Sequence, residues 1–269
     1  MSHGLRRLLL IGVPGALISL TVLFPLYWGV RTSLTDSSDT SMIPRSVDLA
    51  NYRYLFETGQ FGRSIGNSLF VCAGTELLTL PLALLGGYAL ARFDFAGKRY
   101  GSVLLLLPLL PAVAVLVPMI IYMRDLGLYN TLYAVILAST VFGLPFAIWM
   151  VRSFMLAVPK TVEEAARIDG SGSVRILVQI IMPLIAPGIV AVAIFVFITT
   201  WNTYIFAFAF TTQPELQVVP VALLGYITQW GTNYGGMDAA ATIAMLPPLV
   251  LFLAVQRWFI QGLLAGAER

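Results

Sequence analysis

The sequence predicts an all-α polytopic membrane protein with six transmembrane helices. Hydrophobic residues make up 58% of the 269-residue chain and charged residues only 11%, with a mean hydropathy of +0.86. A soluble domain cannot hide that much apolar surface. The apolar residues also gather in six runs of about the 20 residues that a bilayer-spanning helix needs. These runs are continuous rather than alternating. They therefore read as helices, which satisfy every backbone donor internally, and not as barrel strands.

In chain order the predicted spans are Leu8–Val30, Ile65–Leu90, Val103–Met123, Leu132–Phe154, Leu184–Phe210 and Ala239–Phe259. The first follows Arg6-Arg7 but is about twice the length of a signal-peptide core, and no small-x-small cleavage site precedes Arg31, so it reads as a retained helix. Proline marks several spans (Pro81, Pro108, Pro111, Pro118, Pro145, Pro247 and Pro248). Each bends a helix either for packing or beside a water-filled pathway. Two longer loops, about Arg31–Ser64 and Thr211–Asp238, lie on one side with a short one near Arg124–Thr131. The other side has Arg92–Ser102 and the Met155–Pro183 loop. Residues 1–269 read as a single membrane domain, with no internal repeat.

Lys and Arg set the orientation. With the N-terminus inside, 11 of the 16 basic residues fall on the inner side and 5 on the outer. Both termini and the loop at about 155–183 are then cytoplasmic. The same bias accounts for the net charge of +3 without a nucleic-acid partner.

The 155–183 loop is a polar island between apolar spans. Thr161 and Glu164 have capping-box spacing, which predicts a helix from Val162. Glu163 and Glu164 complement the positive end of its dipole. Gly170 supplies the stop, because glycine reaches the left-handed conformation that closes a helix. Ser173 is expected to cap a second helix with Val174, Leu177, Val178 and Ile181 on one apolar stripe, ending at Pro183. Residues alone therefore give a helical knob at the inner face, which either meets a partner or lies on headgroups. Ala165 and Ala166 leave one side low enough for another backbone to approach.

The spacing Glu164-Ala165-Ala166, three residues, Gly170, nine residues, then Ile180-Ile181-Met182-Pro183 resembles the signature of permease subunits of bacterial ABC importers. Met182 departs from the usual Leu. Further landmarks resemble the family's carbohydrate branch: Asn51-Tyr52, Asn67-Ser68, Gly87 to Phe93, Leu144-Pro145-Phe146, Trp201-Asn202, Leu246-Pro247-Pro248, Gln256-Arg257 and Gly262-Leu263. The Glu268-Arg269 ending departs from the common basic-glycine one. The resemblance implies the type I importer permease fold, and coupling to an ATPase through Glu163, Glu164, Ala165, Ala166, Asp169, Gly170 and Pro183. It also implies partners: a second, similar permease subunit forming a heterodimer, two copies of an ATP-binding subunit, and an extracytoplasmic solute-binding protein. The whole would sit in the bacterial cytoplasmic membrane.

Several chemistries are not encoded. There is no phosphate-binding G-x-x-x-x-G-K-[ST] loop. One histidine, His3, and one cysteine, Cys72, do not make a zinc site or a catalytic triad. The chain reads as no enzyme, with no metal and no cofactor, and ATP hydrolysis belongs to another subunit. Glu76 is the one acidic residue well inside a predicted span. It is a paired structural carboxylate, a solute contact, or the coupling group of an ion-gradient-driven carrier, the alternative class. For a polar solute the candidate pathway residues are Glu76, Phe146, Trp201, Asn202 and Tyr204. Gln213, Gln217, Tyr226, Gln229, Trp230, Asn233 and Tyr234 follow nearby, although Trp and Tyr also gather at membrane interfaces as belts.

Overall fold

The computed structural model describes residues 10, 12–36, 39, 41–57, 60–101, 103, 106–107, 110–228 and 231–267, with residues 257–267 as backbone alone. The residues named above that lie outside the described ones are His3, Arg6, Arg7, Leu8, Ser102, Pro108, Gln229, Trp230, Glu268 and Arg269. The chain forms two compact units, Met1–Gly62 with Ala222–Leu246 and Arg63–Val221 with Pro247–Arg269.

The first unit opens with α1, Val13–Ser33, which runs three residues past the predicted end. Arg31 does not stop the helix because its charge is neutralised in place. It is 3% exposed, pairs with Asp39 at 2.9 Å, donates to Thr35 at 3.1 Å and lies over the Trp28 ring. The following loop carries α2, Ala50–Glu57, begun by the Asp48 carboxylate accepting from the Ala50 N–H. Asn51 donates to the Ser33 and Thr35 carbonyls, and the Tyr52 and Ser33 hydroxyls share a 2.7 Å bond. The Asn51-Tyr52 landmark thus ties α2 to the end of α1, with Leu55 fully buried beneath it.

The second unit is built on α3, Gln60–Arg92, whose 33 residues span about 50 Å. It lies against α5, Leu132–Ala157, through small residues. A Cβ on Gly74 would come within 2.6 Å of Ile136, and one on Gly87 within 2.6 Å of Val151 and 3.0 Å of the Arg152 backbone nitrogen. Close approach of this kind is how membrane helices gain packing without a hydrophobic drive. The third predicted span, Val103–Met123, is met only in part by α4, Ala112–Asp125, which begins nine residues later. Its 14 residues reach about 21 Å, short of the ~30 Å hydrocarbon core. Pro111 precedes this helix rather than bending it.

Then come α6, Lys160–Ile168, and α7, Ser173–Leu184, which is bent 83° from α8, Ala186–Trp201. The predicted fifth span, Leu184–Phe210, is broken: α8 stops at Trp201 and α9 resumes at Ile205–Phe210. The Thr211–Asp238 loop contains α10, Val219–Ala222, and the two-residue antiparallel pair β1, Ile227–Thr228, and β2, Gly231–Thr232. The last helix, α11, covers Tyr234–Ala267. Among the described residues, four helices and the bent α7–α8 pair are long and apolar enough to cross a membrane.

Two apolar clusters hold the second unit. One joins Ala83, Tyr88 and Ala91 of α3 and Val151 and Met155 of α5 to Ala166, Ile176, Leu177 and Ile181. The other gathers Val71, Met123, Val135, Phe206 and Phe210 with Val218 and Val221. There the Asn67-Ser68 landmark fastens α3 to the chain after α9. Asn67 donates to the Glu215 and Gln217 carbonyls at 2.8 and 3.0 Å, and the Ser68 hydroxyl accepts from the Val219 N–H.

Candidate functional site

The site begins at α6. The helix starts at Lys160 behind Pro159, two residues before the expected start, and no side chain caps it. Pro159 presets the entry, which leaves Thr161 inside the first turn with no terminal amide to cap. The C-terminus closes as predicted at Gly170, φ +79°. The Ser171 N–H bonds the Ala166 carbonyl at 2.9 Å and the Gly170 N–H the Arg167 carbonyl at 3.0 Å. That crossed pair is the Schellman closure, which requires the left-handed residue.

The two faces of α6 differ in chemistry. Glu163 and Ala166 are its buried residues; Glu164, Ala165, Arg167 and Asp169 are exposed. Ile168 is 86% exposed, an apolar side chain held out among polar ones. Pro183 is exposed as well. Glu163 is not left to the helix dipole. Its carboxylate accepts from the Arg92 Nε and from the Tyr88 hydroxyl, while Arg92 Nη2 donates to the Val158 carbonyl at 2.8 Å.

In α7, Gly172 occupies the cap position instead of Ser173, again without a side-chain bond. The expected stripe is only half right: Leu177 and Ile181 are buried, but Val174 is 76% and Val178 52% exposed. Residues Leu177–Ile181 wind as a π-helix. The wider turn brings Ile176 and Ile181, five apart, onto one face, a rotation that a 3.6-residue period cannot anticipate.

The candidate pathway residues divide. Phe146 lines a cavity of about 270 Å³ with Phe142, Phe195 and Phe206 and the hydroxyl-bearing Ser139, Thr199 and Thr203. Its ring sits 4.5 Å from that of Phe195. The Ser139 hydroxyl is buried and has no hydrogen-bond partner among the described residues. Asn202, exposed, stands at the break between α8 and α9, its side-chain amide donating to the Ile198 carbonyl at 2.8 Å. It is a helix-end residue and not one inside a continuous span. Trp201 is buried and stacked on Phe197; Tyr204 stacks on Phe208. Glu76 is half-buried on α3. None of Asn202, Trp201, Tyr204 and Glu76 lines the Phe146 cavity.

Sequence reasoning missed Arg92 and Tyr88 as partners of Glu163. The available signal was an arginine ending an apolar run, four residues after a tyrosine, with two adjacent glutamates to choose between.

Apolar helices long enough to cross a membrane, with the glycine-closed α6 packed on α3 and α5, fit a membrane permease. The chain belongs to the family described as "Binding-protein-dependent transport system inner membrane component", which it matches over residues 79–264. It is 31% identical to the diacetylchitobiose uptake system permease protein DasC of Streptomyces coelicolor, covering 96% of this chain and 95% of that one. It is 32% identical to the trehalose transport system permease protein SugB of Mycobacterium tuberculosis, over 99% of each. A chain in the crystal structure of a bacterial ABC transporter that imports the acidic polysaccharide alginate shares the fold, with a TM-score of 0.82 and 22% identity, covering 96% and 99% of the two chains.

Proposed function

We propose that this chain is one permease subunit of an ATP-driven importer of di- or oligosaccharides, with α6 as the helix that receives work from a separate ATP-binding subunit. The observation that carries the reading is the exposed face of α6, where Glu164, Ala165 and Ile168 stand clear of the fold behind a glycine-fixed end. An apolar side chain 86% exposed beside a low alanine surface fits a protein groove better than water. The relatives named for diacetylchitobiose and trehalose support a carbohydrate cargo. By the same reading the chain pairs with a second permease, two ATP-binding subunits and an extracytoplasmic binding protein. It performs no catalysis itself, and both termini face the cytoplasm.

The cargo surface in this reading is the Phe146 cavity. Aromatic faces suit the C–H faces of a sugar, and the unpartnered Ser139 hydroxyl suits its hydroxyls. Asn202, Trp201 and Tyr204 stand at the break between α8 and α9, next in sequence to the cavity-lining Thr200 and Thr203, where freed backbone groups are tolerated only beside protein or water. The test of the reading is Ile168→Asp. It is expected to leave the chain in the membrane while the ATP-binding subunit no longer co-purifies; undiminished co-purification removes α6 as the docking helix.

A further inference from the structure

We propose that the buried Arg92–Glu163 ion pair, tied in by Tyr88 and the Val158 carbonyl, is the joint that passes movement of α6 into α3. The proposal rests on the reading of α6 as the docking helix and names the positioning residues behind its exposed face.

The geometry is that of a joint between three elements. Arg92 is the last residue of α3, Glu163 lies in the first turn of α6, and Val158 immediately follows α5. The Arg92 and Glu163 side chains are 4% and 5% exposed. Each oxygen of the carboxylate has its own donor, Arg92 for one and Tyr88 for the other. The guanidinium spends a second nitrogen on the Val158 carbonyl, a two-sided grip that a lysine cannot reproduce.

Apart from this pair, α6 buries only Ala166, whose single methyl has no directional hold. Glu163 is therefore the buried, directional link from α6 to α3, beside the covalent connections of α6 to α5 and α7. About two turns inside its other end, α3 is pinned by Asn67 and Ser68 to the backbone of residues 215–219. The 26 residues from Asn67 to Arg92 make a rod of about 39 Å, held at both of its ends. Moving α6 moves the rod.

Adhesion alone does not call for charges here. Buried ion pairs are commonly replaceable by apolar side chains of similar volume without loss of stability, because the desolvation they suffer offsets their attraction. Removing one partner, in contrast, strands a charge and destabilises. The informative variant is therefore the double replacement Arg92→Met with Glu163→Met, which keeps packing and removes the directional joint.

The experiment uses the complex of this chain with its second permease and ATP-binding subunits in lipid vesicles, with Cys72 replaced by serine. Spin labels are placed at Leu77→Cys on α3 and Ile198→Cys on α8, which are 75% and 41% exposed. Distance is measured with and without a non-hydrolysable ATP analogue and magnesium. The intact pair is expected to give a nucleotide-dependent shift. The double-methionine variant is expected to co-purify with the ATP-binding subunit yet retain less than a tenth of that shift. A shift equal to the parent's overturns the proposal, as does a parent showing no shift. A double variant that no longer assembles assigns the pair to folding and overturns it equally. Failure of the parent chain to hold the ATP-binding subunit instead rejects the underlying reading of α6.

Discussion

Gly170 is the residue whose requirement is sharpest. A Cβ there would meet nothing within 4 Å, so a substitution is not excluded by crowding. The penalty comes from φ +79°, a region that costs an L-residue roughly 1–2 kcal/mol. Gly170→Val is expected to leave the subunit inserted but to redirect α7, uncoupling ATP hydrolysis from transport or weakening ATPase attachment. Gly172, at φ −74° and ψ 161° and equally open, is the control. Gly172→Ala is expected to be neutral in subunit composition, ATPase rate and uptake, and normal values for Gly170→Val would refute the role. Asn202 carries a second prediction at this scale. Its side chain closes the end of α8 on the Ile198 carbonyl, a bond worth about 1 kcal/mol. Asn202→Ala is expected to lower uptake while assembly persists; unchanged uptake across a range of sugar concentrations would take Asn202 out of the pathway.

At the scale of elements, the loop between α1 and α2 is organised by one carboxylate. Asp39 accepts from the Ser41 hydroxyl and from the Ser41 and Arg45 N–H groups, and faces Arg31. These donors, the Ser41 hydroxyl foremost, then the Arg45 and Ser41 amides and the Arg31 charge, hold its carboxyl well below the usual carboxylate range. A depressed folded pKa contributes stability that is fully present above the ordinary value near 4 and lost as pH falls through the folded one. Protection of the amides of residues 34–36 and 41–49, measured against their intrinsic exchange rates, is therefore expected to fall below about pH 4. Asp39→Asn is expected to be poorly protected already at neutral pH and to show no such acid step. A step of the same size in both proteins would contradict the assignment.

Elements were legible in the sequence wherever a single period or a single residue decides them. The long spans follow from uninterrupted apolar runs, and the α6 stop from Gly170. What escaped depended on partners distant in the chain. Arg31 looked like a terminus until Asp39 neutralised it. Thr161 looked like a cap until Pro159 set the start of α6. The stripe of α7 looked helical until five residues wound as a π-turn, and Glu163 looked like a dipole partner until Arg92, 71 positions away, claimed it.

For the whole molecule, the importer reading joins a docking helix, a rod anchored at both ends and a cavity lined by rings and hydroxyls into one machine driven from α6. The competing class, a carrier driven by an ion gradient, would centre on the half-buried Glu76 instead and give α6 nothing to do. The most direct test reconstitutes the purified complex into vesicles with no ion gradient and follows entry of labelled sugar from its loaded binding protein. The account predicts uptake that requires ATP on the side of the ATP-binding subunits, persists in Glu76→Gln and is lost in Ile168→Asp. Uptake that proceeds without ATP under an imposed proton or sodium gradient, and disappears with Glu76→Gln, would contradict it.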